Sequence, residues 1–138
     1  MPPVNRSDKL KRLVAVQRHL EKIAESDLAA TTRQREEVNQ TMDVVLDAIG
    51  SLDSLHRMFA QHYAERFSRL TIQDAQLAGM QNLHERRVLK ERTKAERLEE
   101  HMVEARSDED READDNAIYD LIDLQVASTP ASSKVQKS

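Results

Sequence analysis

Cysteine is absent from the chain, which excludes disulfides, cysteine-ligated zinc and a thiol nucleophile, and fits a reducing compartment. Glycine occurs only at Gly50 and Gly79, too far apart to build a phosphate-cradling loop. The prolines are Pro2, Pro3 and Pro130, so the long stretch between them carries none to interrupt a helix. Tryptophan is missing, and the aromatic residues are Phe59, Tyr63, Phe67 and Tyr119 alone. A globular core needs large apolar side chains and repeated turns, and this chain is poor in both. Apolar runs are short, Val44-Val45-Leu46 being typical, and none has the length of a bilayer span. The first residues lack the apolar stretch of a secretory signal.

What the chain does have is charge and period. Its 138 residues suffice for one domain, and 33% of them are charged. That composition suits long helices, where a narrow apolar stripe is buried and the other faces stay solvated. From Leu28 onward the residues fall on two interlocked seven-residue series. One is Leu28, Arg35, Met42, Ile49, His56, Tyr63, Leu70; the other is Thr31, Val38, Val45, Leu52, Phe59, Arg66. Nine of these 13 positions are apolar, which is the heptad signature of a coiled coil and an argument against disorder. Upstream, Leu10, Leu13, Leu20 and Ala24 extend the stripe with a local shift of phase.

Two places can turn the chain. Gly50-Ser51 is one, since glycine is favoured just past a helix end, although an isolated glycine inside a helix costs only about 1 kcal/mol. The other is the segment from Ser68 to Asp74, where Thr71-Ile72-Gln73-Asp74 resembles a capping box. Charge favours the second. A basic start (Arg6, Lys9, Lys11, Arg12, Arg18, Lys22) would then lie beside an acidic block (Glu104, Asp108, Glu109, Asp110, Glu112, Asp114, Asp115). A bend at Gly50 would set the basic start against Arg86, Arg87, Lys90 and Arg92 instead.

The expected architecture is therefore all-α: a long two-helix antiparallel coiled-coil hairpin. Residues 1–6 form a flexible start, with Asn5 or Ser7 as helix cap. A first helix covers about 7–67, a turn about 67–75 and a second helix about 72–125, giving a hairpin over 7–126; residues 127–138 form a disordered tail. The second helix has the weaker seam: Leu77, Met80 or Gln81, His84, Val88, Glu91, Ala95, Leu98, Met102, Ala105. Its apolar end group, Ala117, Ile118, Leu121, Ile122 and Leu124, either packs on Leu10, Leu13 and Val14 or docks on a partner.

Chemistry finds little footing in this pattern. No catalytic residues, no metal site and no cofactor are expected. The five histidines, His19, His56, His62, His84 and His101, are scattered without the helical spacing of a metal site. The acidic block lacks the glycine turn and oxygen pattern of a calcium loop, so a solvated face is expected. In the basic cluster Arg86, Arg87, Lys90, Arg92, Lys94 and Arg97, interleaved Glu85, Glu91 and Glu96 and the lack of aromatics argue against nucleic acid. Phe59, Tyr63 and Phe67 share a helix side, either as hairpin packing or as a docking patch.

Several runs carry a family likeness. Leu10-Lys-Arg-Leu13 followed by Val16, Glu21, Ala24 and Leu28 resembles the basic, leucine-spaced opening of the flagellar export protein FliJ family and the related type III secretion stalk (YscO-like) proteins. Lys94-Ala-Glu96-Arg-Leu98-Glu99 resembles that family's recurring Lys-x-Glu-x-Leu pattern, and Arg111 with Asp114-Asp115-x-Ala117 resembles its charged run, with Asp115 where the family usually shows Glu. The likeness covers the two ends of the chain. It implies a non-enzymatic stalk or adaptor of the flagellar type III export apparatus, cytoplasmic and held peripherally at the inner membrane without direct membrane insertion.

Its implied partners are the export ATPase ring, the membrane-embedded export gate and export chaperones. The implied ATPase-facing residues are Lys9, Lys11, Arg12, Arg18, Arg106 and Arg111, with Ile118, Leu121 and Ile122 nearby. The implied gate-facing surface is Met42, Ile49, Phe59 and Tyr63. The alternative is a structural coiled coil that self-associates through the stripe from Leu28 to Leu70.

Overall fold

A computed structural model describes residues 5–129. The termini expected to be loose, residues 1–4 and 130–138, lie outside the described residues. Helix α1 spans Arg6–Ile49 (44 residues), the short helix α2 spans Ser54–Met58, and helix α3 spans Ala60–Ser128 (69 residues). No strand occurs among the described residues. The chain is all-α, and α1 and α3 pack antiparallel as a helical hairpin. Of the tail expected over 127–138, Ala127 and Ser128 are instead the last residues of α3. Two compact units can be distinguished: Ala15–Glu96, and Met1–Val14 with Arg97–Ser138.

In the unit Ala15–Glu96 the inward line of α1 is Gln17, Glu21, Ala24, Leu28, Thr31, Arg35, Val38, Met42 and Val45. That of α3 is Tyr63, Phe67, Leu70, Asp74, Leu77, Gln81, His84, Val88, Glu91 and Ala95. All these side chains are buried or half-buried, and steps of three and four alternate without a fault. Ala24 and Ala95 are 0% exposed, so small residues fill the tightest points of the seam. Val38, Val45, Leu77 and Val88 are the larger buried apolar residues, each contributing roughly 1.5–3 kcal/mol on full burial.

The phase shift expected near the start of α1 does not exist. Leu13 and Leu20 are exposed, and the seam places near them belong to Gln17 and Glu21. Those polar groups are tolerated there because each finds partners across the seam. Gln17 Nε2 donates to the Glu91 carbonyl at 3.2 Å and also to its carboxylate, and Arg92 Nε donates to Glu21 at 3.1 Å. Arg35 extends the pattern by donating to Asp74 Oδ1 and Gln81 Oε1, both at 3.0 Å. On α3 Gln81, not Met80, takes the seam place, Met80 being exposed.

The reversal lies between Gly50 and Phe59, not at 67–75. Ser68 to Asp74 is continuous helix. Thr71 does not cap; its hydroxyl donates back to the Phe67 carbonyl at 2.9 Å, a bond that a helix interior accommodates. Asp74, expected to close a capping box, instead receives Arg35. The cap that does form is at Asp53, whose carboxylate accepts from the Leu55 N–H at 3.2 Å and starts α2. Gly50 has no positive φ, so it ends α1 without the left-handed turn that glycine often supplies.

The start of α1 does lie beside Glu109 of the acidic block, but with the reversal near Gly50. A sharp bend at Gly50 would oppose like charges, but the reversal occupies about ten residues and shifts α3 accordingly. Acidic Glu21, Glu25 and Asp27 of α1 thereby meet Arg92 and Arg87: Arg92 reaches Glu25 at 3.3 Å, and Arg87 reaches Asp27 at 3.6 Å.

In the second unit Ser7, Leu10 and Val14 of α1 lie inward, together with Leu98, Met102, Ala105 and Glu109 of α3. The first turn of any helix leaves N–H groups without intrahelical partners. Here Glu109 supplies one from the other helix: the Ser7 N–H donates to Glu109 Oε1 at 2.9 Å, and the Ser7 hydroxyl donates to Oε2. Beyond Glu109 every described residue of α3 is exposed.

Candidate partner-binding surfaces

Three places hold the residues singled out in the sequence. The first is the reversal. Ile49 closes α1, Phe59 follows α2, and both are exposed, while Tyr63 is half-buried one turn into α3. The Tyr63 ring lies 5.8 Å from His56 and 6.4 Å from Phe59, tilted to both. Its hydroxyl is 3.2 Å from His56 Nδ1. Leu52, 83% exposed, adds an aliphatic side chain that the seven-residue count had placed in the seam. The sequence thus assembles Ile49, Phe59 and Tyr63 at one turn. Met42 is separate from them, half-buried in the seam about two helical turns before Ile49.

The second place is the start of α1 with the facing part of α3. Lys9, Lys11, Arg12, Arg106 and Arg111 are exposed there. Arg18 belongs to the other unit and differs in kind. It is half-buried, and its guanidinium donates to Glu21 Oε2 at 2.6 Å. Arg18, followed by Arg92, holds the Glu21 carboxyl below the usual range, and Arg92 is raised in turn, chiefly by Glu21. The Ser7 hydroxyl and N–H hold the Glu109 carboxyl low, with Arg106 assisting. Arg18 and Arg106 thus each lie beside a carboxylate of their own helix, Glu21 and Glu109, that accepts a bond from the other helix. The sequence offered Glu109 only as part of an acidic block beside the basic start and Glu21 only within the family likeness, because a carboxylate's partner across the seam is not written in the periodicity.

The third place is the end of α3. Ile118, Leu121 and Ile122 are exposed, as are Tyr119, Leu124 and Val126. The expected packing on Leu10, Leu13 and Val14 does not occur, because α1 begins at Arg6 and its first seam residue, Ser7, already pairs with Glu109. This leaves an aliphatic stripe on an acidic helix with no counterpart among the described residues.

Open grooves run along the surface between the helices. One of about 460 Å³ in the unit Ala15–Glu96 is bordered by Gln34, Glu37, Thr41, Arg66 and Gln73, with Val38, Leu70 and Leu77 at its floor. No group of three metal-ligating side chains gathers among the described residues. None of the described helices is long and apolar enough to cross a membrane. The basic cluster of α3 is partly used within the chain: Arg87 and Arg92 pair with α1, and Lys94 lies 3.9 Å from Glu91. Against known proteins, no family model, no curated protein and no solved structure matches this chain.

Proposed function

We propose that this chain is a non-enzymatic helical adaptor, and more specifically a FliJ-like stalk of a type III protein export apparatus that binds the export ATPase ring and the export gate. One observation supports the reading above the others. The Ser7–Glu109 cap fixes the start of α1 beside α3 and leaves Lys9, Lys11, Arg12, Arg106 and Arg111 exposed around that pairing. Such an arrangement presents charge on a stiff support, which is what docking into a preformed ring requires. The resemblance of Leu10-Lys-Arg-Leu13 and Lys94-Ala-Glu96-Arg-Leu98 to the export family supplies the choice of partner. Export chaperones are a further class of partner on the same reading, and the aromatic reversal around Phe59 and Tyr63 is the surface assigned to the gate.

Two features of the molecule shape the test. Arg18 is engaged with Glu21, so reversing its charge would disturb the helix pair and confuse the readout. Lys9 and Arg12 are exposed, and the pair Lys9→Glu with Arg12→Glu is the cleaner probe. With purified export ATPase from the same cell, the wild-type chain should bind and raise ATP turnover. The double variant should keep its helicity and lose most of that stimulation. A wild-type chain that neither binds nor stimulates the ATPase would overturn the reading.

The stripe from Leu28 to Leu70, on which self-association would have rested, is occupied within the chain. Thr31, Val38 and Val45 of α1 are buried, and Phe67 and Leu70 of α3 are half-buried.

A further inference from the structure

Two exposed surfaces of this chain are aliphatic at the centre and carry opposite charge at the rim. The first is the end of α3. Continuing the seam past Glu109 in alternating steps of three and four leads to Glu112, Asn116, Tyr119 and Asp123, mostly polar residues. Ile118, Leu121 and Ile122 form a different stripe, turned roughly 140° from that line at 3.6 residues per turn. Its orientation is therefore not a continuation of the contact with α1. Between Asp110 and Ser128 six carboxylates stand against the single cation Arg111.

The second surface is a flank of α1 in the unit Ala15–Glu96. Val16, Leu20 and Ile23 each precede a seam residue by one position, and all three are exposed. Asp27 continues this flank and is held by Arg87, which identifies the side of α3 that borders it. Lys94 follows Arg87 at the seven-residue interval on that same side, and Lys90 is exposed between them.

The geometry points to self-association in which the acidic, aliphatic end of α3 from one copy lies along the Val16–Leu20–Ile23 flank of a second copy. Leu121 and its neighbours cover the flank, and Asp114 and Asp115, exposed one helical turn before Ile118 and on the same side, meet the Lys90–Lys94 rim. Each copy supplies what the other lacks. An anionic lipid surface or a nucleic acid is a poor occupant for the α3 end, because either would repel its carboxylates. The aliphatic contact supplies affinity, and the charges set partner choice and encounter rate. Because the charged rim is exposed, added salt weakens the association.

The proposal goes beyond the export reading and does not depend on it. A chain that self-associates but ignores the ATPase removes that reading and leaves this one standing. The test is sedimentation velocity of the full chain over a concentration series at low and moderate salt. Self-association that grows with concentration and falls with salt is the expected result. Leu121→Asp with Ile122→Asp, and separately Leu20→Asp with Ile23→Asp, should each yield monomers of unchanged helicity. An equimolar mixture of the two double variants should associate again, since each retains the surface the other has lost. Lys90→Glu with Lys94→Glu should weaken association at least tenfold, and adding Asp114→Lys with Asp115→Lys should restore most of it. These charge changes keep the test decisive even if an aspartate variant unfolds. A wild-type chain that stays monomeric, association that survives either aspartate pair, or a mixture that stays monomeric would overturn the proposal.

Discussion

The paired stretch Ala15–Glu96 and the free end Asp110–Ser128 use the same kinds of residue to opposite effect. In the paired stretch, charge goes inward. Glu21, Arg35, Asp74 and Glu91 occupy or border the seam and bond across it, while Val16, Leu20 and Ile23 face outward. In the free end, charge and aliphatic side chains alike face solvent, with no helix across from them. Helix formation alone therefore does not distinguish the two regions. The difference lies in whether a second helix is present to make an inward polar group worth keeping. A buried polar group is tolerable when its bonds are made and costly when they are not.

That comparison can be tested most severely by placing one charge in each region. Val88 is 7% exposed in the seam, and Val88→Asp should cost about 3 kcal/mol or more, since nothing there pairs a new carboxylate. Leu121→Asp, at 66% exposure, should change the stability of the monomer, measured below the concentration at which copies associate, by less than about 0.5 kcal/mol. Urea unfolding followed by circular dichroism gives both numbers. Equal losses would show that the end of α3 is paired after all.

A smaller effect is expected from the polar bonds themselves. Arg35→Ala removes the donor to Asp74 and Gln81, both of them at the seam, and should cost about 1 kcal/mol. Replacing Gln17 and Glu91 together by leucine should act in the other direction, raising the thermal midpoint by a few degrees, roughly, because a matched apolar pair avoids desolvation. That variant should also admit alternative helix registers, visible as new cross-links between α1 and α3. A polar layer at a seam is a known device for fixing register.

The smallest effect is on pH. Glu21 and Glu109 titrate below the usual carboxylate range when folded, so their contribution is complete above the unfolded-state value. It declines as pH falls through the lowered folded values. Stability should therefore drop on acidification, and Ser7→Ala should flatten the part of that drop due to Glu109. An unchanged pH profile in Ser7→Ala would remove Glu109 from the account.

Part of this architecture was legible because an α-helical hairpin writes its seam as a period. The second helix could be followed from Leu77 to Ala105 almost residue by residue. The reversal could be read only as one of two candidate turns, and the other was preferred. Ile49, Tyr63 and Leu70 continue a seven-residue count straight across it, although Ile49 ends one helix and Tyr63 belongs to another. The loop happens to preserve the phase of that series, so a count of apolar residues sees no break. The other series does slip: Phe59 and Arg66 are displaced from the seam by one residue, which Phe67 fills. At the start of α1 the error had the opposite cause. Seam places held by Gln17 and Glu21 look like surface, and Leu13 and Leu20 look like seam, until the partner helix is seen. The exposed end of α3 was identified as an apolar group, but its two expected roles could not be separated without knowing where α1 begins.

A single reversal near the middle of the chain also orders the events of folding. The bonds between the helices join residues 39 apart at Arg35–Asp74, 74 apart at Gln17–Glu91 and 102 apart at Ser7–Glu109. Each doubling of such a loop adds only about 0.6 kcal/mol of closure entropy, but the longer bonds lose even that small extra cost once the shorter ones have formed. Closure thus proceeds outward from the Asp53 cap, and the Ser7–Glu109 contact completes it. During synthesis the end of α1 meets its counterpart soon after the reversal emerges, whereas the start of α1 must wait for most of α3 before it has anything to pair with.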